Sequence, residues 1–422
     1  MCDNRHYISE VPLSLNSVRK RVEAFLSSNG LRLAALERYV VISRDEDGDE
    51  IIAGGGLDGN VIKCVAVSEA ARSEGLMNVL VSRLIAIAHE EGYDSVKAFT
   101  KPANEDIFKS LGFELLASSK NAILMENGRG GLPEYRKYLE SLARPGRNGA
   151  IVMNANPFTK GHRYLIEQAA SQVDNLYVIV VKEDRSRFPY VERKAMIEAG
   201  CAGLDNVIVC EGSDYAVSAA TFPTYFLKQL DDATPTHIAL DLDLFVKHIA
   251  RPLGVTVRFA GSEPEDNLTH CYNEMMSEIL PAGGYNATSQ ENGIKFVEIP
   301  RLEQNGRPVS ATSLRKALDR GDLKAAMEFV PVSTVPYLIA ELAERSLRLE
   351  LDTTPKPGLV DKQDNGAHKD MDYALMSASI SALRPYLTKI AVGAVAGVNA
   401  AEIMSIGIDA ETSMLRATGG VN

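Results

Sequence analysis

Apolar residues at Val18, Val22, Phe25 and Leu26 recur at helical spacing behind Asn16 and Ser17, a pair that favours a helix start. Strand-like runs follow at 36–42, 51–53 and 61–67, parted by polar turn clusters at 45–50 and 58–60. The first cluster is acidic, but its glycine is misplaced for a calcium loop and Gly56 stands where a bidentate Glu is needed. It reads as a solvated hairpin turn. A helical period returns from Leu76 to Glu91 and stops at Gly92, and Ser95 to Thr100 reads as one more strand. This αβββαβα order, with antiparallel strands in its middle, predicts an α+β domain over residues 1–128.

Leu132, Tyr135, Leu139 and Leu142 mark a short helix, and Arg144 to Gly149 reads as a linker, so 129–146 forms a connection. Strands then alternate with helices: 150–153, a helix to 170, 176–181, a helix through 199, 207–210, 237–240, 256–260 and 294–299. Alternation of this kind predicts an α/β domain over 147–330, a parallel sheet covered on both faces. Beyond Pro331 no strand pattern is visible, so 331–422 is expected to be all-α.

The 422 residues are enough for two or three domains. Lys plus Arg number 45 against 56 Asp plus Glu, a net charge of −11. That balance argues against a broad nucleic-acid or membrane footprint, though a local basic pocket can still hold a nucleotide. No apolar run follows the first residues, the stretch Ile390 to Ala401 is too short to span a bilayer, and the five cysteines form no CxxC pair. A cytoplasmic protein with reduced thiols is expected.

The chemistry concentrates in Asn154-Ala155-Asn156-Pro157-Phe158-Thr159-Lys160-Gly161-His162, which runs from a strand through a turn into a helix. In a parallel sheet this turn lies at the ligand-binding edge, and a helix start offers free N–H groups to a phosphate. His162 adds a donor there that can become cationic. Far downstream, Ser310, Thr312, Ser313 and Arg315 mark another helix start, a second anion cradle in which Arg can grip phosphate with two hydrogen bonds. Alone, each piece could be a helix cap or a core histidine; together they favour a nucleotide site.

These two segments resemble the HxGH and ISSTxxR signatures of the nucleotidylyltransferases, with Thr159 in place of the first His. That departure, with Lys182, Phe188, Arg193 and the loop Arg258 to Pro264, resembles the citrate lyase ligase family. The resemblance covers residues 1 to about 330. It implies that ATP and acetate react to acetyl-adenylate, and that the acetyl group passes to the thiol of the phosphoribosyl-dephospho-CoA arm on the citrate lyase acyl carrier protein. It implies catalytic roles for His162, Thr159 and Arg315, with Ser310, Thr312 and Ser313 on the departing pyrophosphate and Mg²⁺ bridging oxygens. Asn154, Asn156, Phe158, Lys160, Gly161, Gly261, Ser262 and Glu263 would line the rest of the ATP site.

Val65 to Met77 is similar to the pyrophosphate loop of the GNAT acetyltransferases, matching at Arg72 and Gly75, with Asn104 and Leu111-Gly112-Phe113 following as in that family. A GNAT-like domain here is expected to hold the CoA-like arm through Val65, Val67, Arg72, Gly75 and Asn104, without a catalytic residue. Leu351 to Asp361, the cluster His368, Asp370 and Asp372, and Ala417 to Asn422 resemble triphosphoribosyl-dephospho-CoA synthases, over about a third of such a domain. No triphosphoribosyl transfer is expected of that segment; the alternative is a bifunctional chain. A second rival is an adenylyltransferase acting on a phosphopantetheine-like phosphate.

Overall fold

A computed structural model describes residues 6–46, 50–128, 131–182, 186–213, 215, 233–263, 267–285, 293–304, 307–353, 384–385, 387–389 and 391–392. The chain starts with β1 (Tyr7–Glu10), α1 (Asn16–Ser28), β2 (Arg38–Ser43), β3 (Ile51–Asp58), β4 (Val61–Val67) and α2 (Leu76–Glu90). It continues with β5 (Ser95–Thr100), α3 (Glu105–Ser110), β6 (Glu114–Ser118), β7 (Ile123–Gly128) and α4 (Leu132–Leu142). Then come β8 (Asn148–Met153), α5 (Lys160–Ala170), β9 (Asn175–Val180), α6 (Tyr190–Gly200) and β10 (Val207–Cys210). Next are α7 (Ala233–Leu244), α8 (Arg251–Leu253), β11 (Val255–Gly261), α9 (Asn267–Ala282) and β12 (Lys295–Ile299). A two-residue hairpin of β13 (Glu303–Gln304) and β14 (Arg307–Pro308) precedes α10 (Ala311–Asp319), α11 (Leu323–Met327) and α12 (Val335–Thr353).

Compactness divides these elements into two units. The first is Met1–Ala150 with Val173–Asn175 and Ser213–Glu298; the second is Ile151–Gln172 with Leu176–Gly212 and Ile299–Asn422. In the first unit a seven-stranded sheet runs β1-β2-β3-β4-β5-β7-β6. Its pairs are antiparallel except β4 with β5, which are parallel. This is the expected α+β architecture. α2 buries Leu80, Val81, Leu84 and Ile87 against Val40, Ile42 and Ile52, and each such side chain contributes about 1.5–3 kcal/mol. Gly55 lets the helix seat closely, since a Cβ there would lie 3.0 Å from Val65 and 3.1 Å from Leu84.

The same unit takes in α7, whose buried Asp243 accepts the N–H and hydroxyl of Ser118 at 2.8 and 3.3 Å. The Lys247 ammonium lies 2.6 Å from that carboxylate and the Tyr285 N–H at 3.1 Å. The His248 ring meets the Leu116 carbonyl at 2.8 Å, and Tyr215 donates to buried Glu126 at 2.6 Å. Residues 1–128 thus share their polar anchors with residues from 213–298, and cutting the chain at 128 would strip partners from buried groups.

The second sheet has the order β10-β9-β8-β11-β12. β10 pairs with β9 and β11 with β8, both parallel. In the second unit, α12 presents Glu341 to Arg187 at 2.6 Å and Glu344 to Arg384 at 2.8 Å, while Arg384 also grips Glu192 with two bonds of 2.9 Å. Among the described residues beyond Pro331 all regular structure is helical, as expected.

Three local expectations are corrected. Residues 237–240, read as a strand, lie in α7; Thr236 to Leu240 and Leu242 to Leu244 are all buried, so burial on nearly every side hides the helical period. Asn16 and Ser17 supply no cap: the N-cap position is Leu15 and no side chain bonds there. The strands β1, β6 and β7 were not anticipated.

Candidate active site

β8 delivers the chain to the turn 154–158, and buried Arg193 of α6 fixes that turn. Its guanidinium donates to the carbonyls of Asn154 at 2.9 Å, Val181 at 2.8 Å and Phe188 at 3.0 Å. A buried guanidinium needs its donors satisfied, so three separate loops are drawn to one point. Asn156 adds a fourth tie by accepting the Phe188 N–H at 3.0 Å. Ala155 follows at φ 47°, a left-handed conformation that costs a non-glycine residue about 1–2 kcal/mol. Asn154 itself is exposed and exchanges a hydrogen bond with Ser186.

Thr159 caps α5 in a reciprocal arrangement. Its hydroxyl oxygen accepts the His162 N–H at 3.3 Å, while Nδ1 of His162 accepts the Thr159 N–H at 3.0 Å. A backbone N–H can only donate, so the ring proton resides on Nε2. Burial first, then the charges of Arg301 and Arg315, push the His162 pKa down to about 4. Its ring stacks on buried Phe158, centroids 5.9 Å apart. His162, which a more polar setting could make cationic, is here a partly buried, neutral donor. Phe158 has no exposed surface, and its side chain supports His162 from below.

The start of α10 stands beside the start of α5. A Cβ on Gly161 would touch the Val309 carbonyl at 3.4 Å, and Arg315 donates to the Asn156 carbonyl at 3.1 Å and to Thr312 at 3.2 Å. Ser310 caps α10 by accepting the Thr312 N–H at 3.2 Å. Within the described residues the N–H groups of Gly161, Ala311 and Ser313, and the Ser313 hydroxyl, make no hydrogen bond. Two helix starts thus converge with open N–H donors, the His162 Nε2–H and a guanidinium, a constellation suited to several phosphate oxygens. Lys160 is committed elsewhere, donating to the Glu328 carbonyl at 2.8 Å. Gly261 ends β11 in the first unit with Ser262 and Glu263 directly after it, and the Gly261 carbonyl accepts from Asn273 at 3.1 Å. His368, Asp370 and Asp372 lie outside the described residues.

In the first unit β4 and β5 pair only at Val61 with Lys97 and Ile62 with Ala98, then diverge. Cys64, at φ 56°, marks the place. The resulting groove of about 480 Å³ is lined by Val65, Val67, Arg72 and Asn104 of the expected set. Gly75 lies outside that lining and instead starts α2 at φ 71°. Asn104 is occupied with the Thr100 hydroxyl at 2.8 Å. Arg72 and Lys101 are the charged lining residues, and no Asp, Glu, His, Cys or Tyr joins them. The groove therefore offers two cations to an anion and no carboxylate, imidazole, thiol or phenol.

Sequence reasoning overlooked Arg301, which acts on His162 from just beyond β12. Only its place at a strand end could have flagged it. Among the described residues no three His, Cys, Asp or Glu side chains form a metal-holding group. None of the described helices is long and apolar enough to cross a membrane.

The Citrate lyase ligase C-terminal domain family matches residues 148–338. The [Citrate [pro-3S]-lyase] ligase of Klebsiella pneumoniae is 41% identical over 328 residues, 77% of this chain and 94% of that protein. The chain belongs to the citrate lyase ligase family. The ligase of Escherichia coli K12 is 40% identical over 333 residues, 78% of this chain and 93% of its own. The ATP:dephospho-CoA triphosphoribosyl transferase family matches residues 336–422 of this ligase-family chain. The 2-(5''-triphosphoribosyl)-3'-dephosphocoenzyme-A synthase of Escherichia fergusonii is 46% identical over 90 residues, 20% of this chain; the chain spans 30% of that relative's length. Among solved structures, Escherichia coli ElaA is similar at 19% identity and TM-score 0.25, covering 29% of this chain and 99% of that one. A GNAT-family acetyltransferase of Staphylococcus aureus is similar at 13% identity and TM-score 0.25, covering 30% and 100%.

The Arg193 tie yields a stability prediction for this ligase-family chain. Arg193→Lys keeps the charge but cannot reach three carbonyls, so unfolding free energy should fall by about 3 kcal/mol in a urea titration. A change below about 0.5 kcal/mol would show that the three loops hold without it.

Proposed function

We propose that this chain acetylates the prosthetic-group thiol of citrate lyase in two steps, the first of which consumes ATP. An acetate oxygen attacks the α-phosphorus of ATP, the bond to the β-phosphate oxygen breaks, and acetyl-adenylate and pyrophosphate form. The carrier thiol, losing its proton, then attacks the acetyl carbonyl carbon; a thioester forms and AMP leaves. The observation that carries the reading is the convergence of the α5 and α10 starts, with His162 and Arg315 between them. Displacement at phosphorus asks the protein mainly for alignment and for donors that meet growing negative charge.

In this reading the His162 Nε2–H and the Gly161 N–H meet the α-phosphate. Arg315, Ser313 and the open N–H groups of α10 hold the departing pyrophosphate. Mg²⁺ belongs to the ATP it accompanies and neutralises phosphate charge when bound. The groove between β4 and β5 takes the diphosphate end of the carrier arm on Arg72 and Lys101, with the pantetheine stem against Val65 and Val67. Cytoplasmic work on a soluble carrier protein fits this chemistry. A second reading, manufacture of the arm's precursor by the same chain, is favoured only by the match over 336–422.

Acetate-dependent exchange of labelled pyrophosphate into ATP isolates the first step. His162→Ala should lower it by about 10²–10³, the usual loss for one donor to a developing oxyanion. Near-normal exchange by that variant would place the active site elsewhere.

The second step is tested at the groove. Arg72→Ala combined with Lys101→Ala should leave exchange unchanged and raise KM for the thiol carrier by about tenfold or more, one lost phosphate contact being of that order. Equal loss of both half-reactions, or of neither, would remove the groove from the account.

A further inference from the structure

We infer that Thr159 is a positioning residue that fixes His162 as a neutral Nε2–H donor aimed at the nucleotide. The inference rests on the proposed role of His162 and deepens it. Two groups of Thr159 address the same ring nitrogen: its N–H at 3.0 Å and its hydroxyl at 2.9 Å. Because the N–H can act only as a donor, a proton on Nδ1 would set two hydrogens against each other. Both the Nδ1–H tautomer and the imidazolium are therefore disfavoured by geometry alone. The hydroxyl oxygen also takes the His162 N–H at 3.3 Å, so the backbone that carries the ring is held by the residue that sets its proton.

The surroundings point the same way. Arg301 and Arg315, from two other segments, oppose a positive ring, as does its burial. On its own helix, Lys160 is turned to the Glu328 carbonyl, and Arg163 is paired with Glu167 at 2.7 Å. Phe158 stacks on one ring face with an interplanar angle of 18°. Nε2 forms no hydrogen bond to any described residue, so its proton is free for a ligand. The positive charge that phosphate requires then comes from arginines, which do not titrate, and the histidine supplies direction. Thr159, the residue by which this sequence departs from the HxGH pattern, reaches the substrate through His162.

Nitrogen NMR of the full chain with ¹⁵N-labelled histidine, with no substrate added, reads the ring directly; His162→Gln identifies its signals. The expected result is an unprotonated Nδ1 and a protonated Nε2, unchanged from pH 7.5 to 5.5, whereas a free histidine titrates near 6.5. An Nδ1–H tautomer, or an imidazolium at pH 6, overturns the inference even if His162 proves essential for exchange. Thr159→Ala keeps the N–H that faces Nδ1 but loses the hydroxyl that holds the ring and the helix start. The Nε2–H tautomer should therefore persist while kcat for pyrophosphate exchange falls by about ten- to a hundredfold, the scale of a small misplacement. Thr159→Ser should restore kcat. A Thr159→Ala variant with full kcat would show that the backbone alone does the positioning.

Discussion

A buried guanidinium cannot be left without acceptors, and in this chain that demand shapes the site. Arg193 has no exposed surface and satisfies itself on carbonyls from three loops. The turn after β8, the exit of β9 and the entry to α6 must therefore close around it. Only with that turn in place does Thr159 fall at the start of α5, and only then can Arg315 reach the Asn156 carbonyl. Glu192, one residue before Arg193 and held by Arg384, belongs to the same closure. Each tie is worth a few kcal/mol at most, but together they decide where the donors point.

The electrostatic design follows from that geometry. A helix start, a second helix start and two arginines gather positive potential without a histidine charge. Neutrality of His162 costs nothing at the pH where the ring is ordinarily neutral. As acidity increases through the ordinary histidine range, the unfolded chain gains a proton that the folded ring refuses until about pH 4, so this group lowers stability in acid. The groove between β4 and β5 divides labour in another way. It carries two cations and apolar walls but no carboxylate, imidazole, thiol or phenol.

Much of this was legible in the sequence, for reasons that differ by element. β8, β9, β10 and β11 announce themselves as short apolar runs, and α5 by its apolar face behind a Thr cap. The starts of α5 and α10 were legible because helix starts need particular residues at fixed offsets. α7 was not, because a helix buried on almost every side loses its polar stripe. The short strands β1, β6 and β7 were missed, and the anchors of Asp243 in β6 and the loop after α9 are invisible to local pattern. Arg193 was noted only as part of a resemblance; its reach to three carbonyls is a tertiary fact. The neutrality of His162 was not legible, because Arg301 is remote in sequence and burial has no sequence signature.

The central claim is that a carboxylic acid is activated on the α-phosphate held between the starts of α5 and α10. The oxygen balance of that step gives its most direct test. Acetate labelled with ¹⁸O in its carboxylate is turned over with ATP and the thiol carrier, and the phosphate products are weighed by mass spectrometry. The account predicts one labelled oxygen in AMP, because the oxygen that attacks phosphorus stays there when the thiol takes the acetyl group. Label in pyrophosphate or inorganic phosphate, or unlabelled AMP from a reaction that still yields thioester, would contradict it.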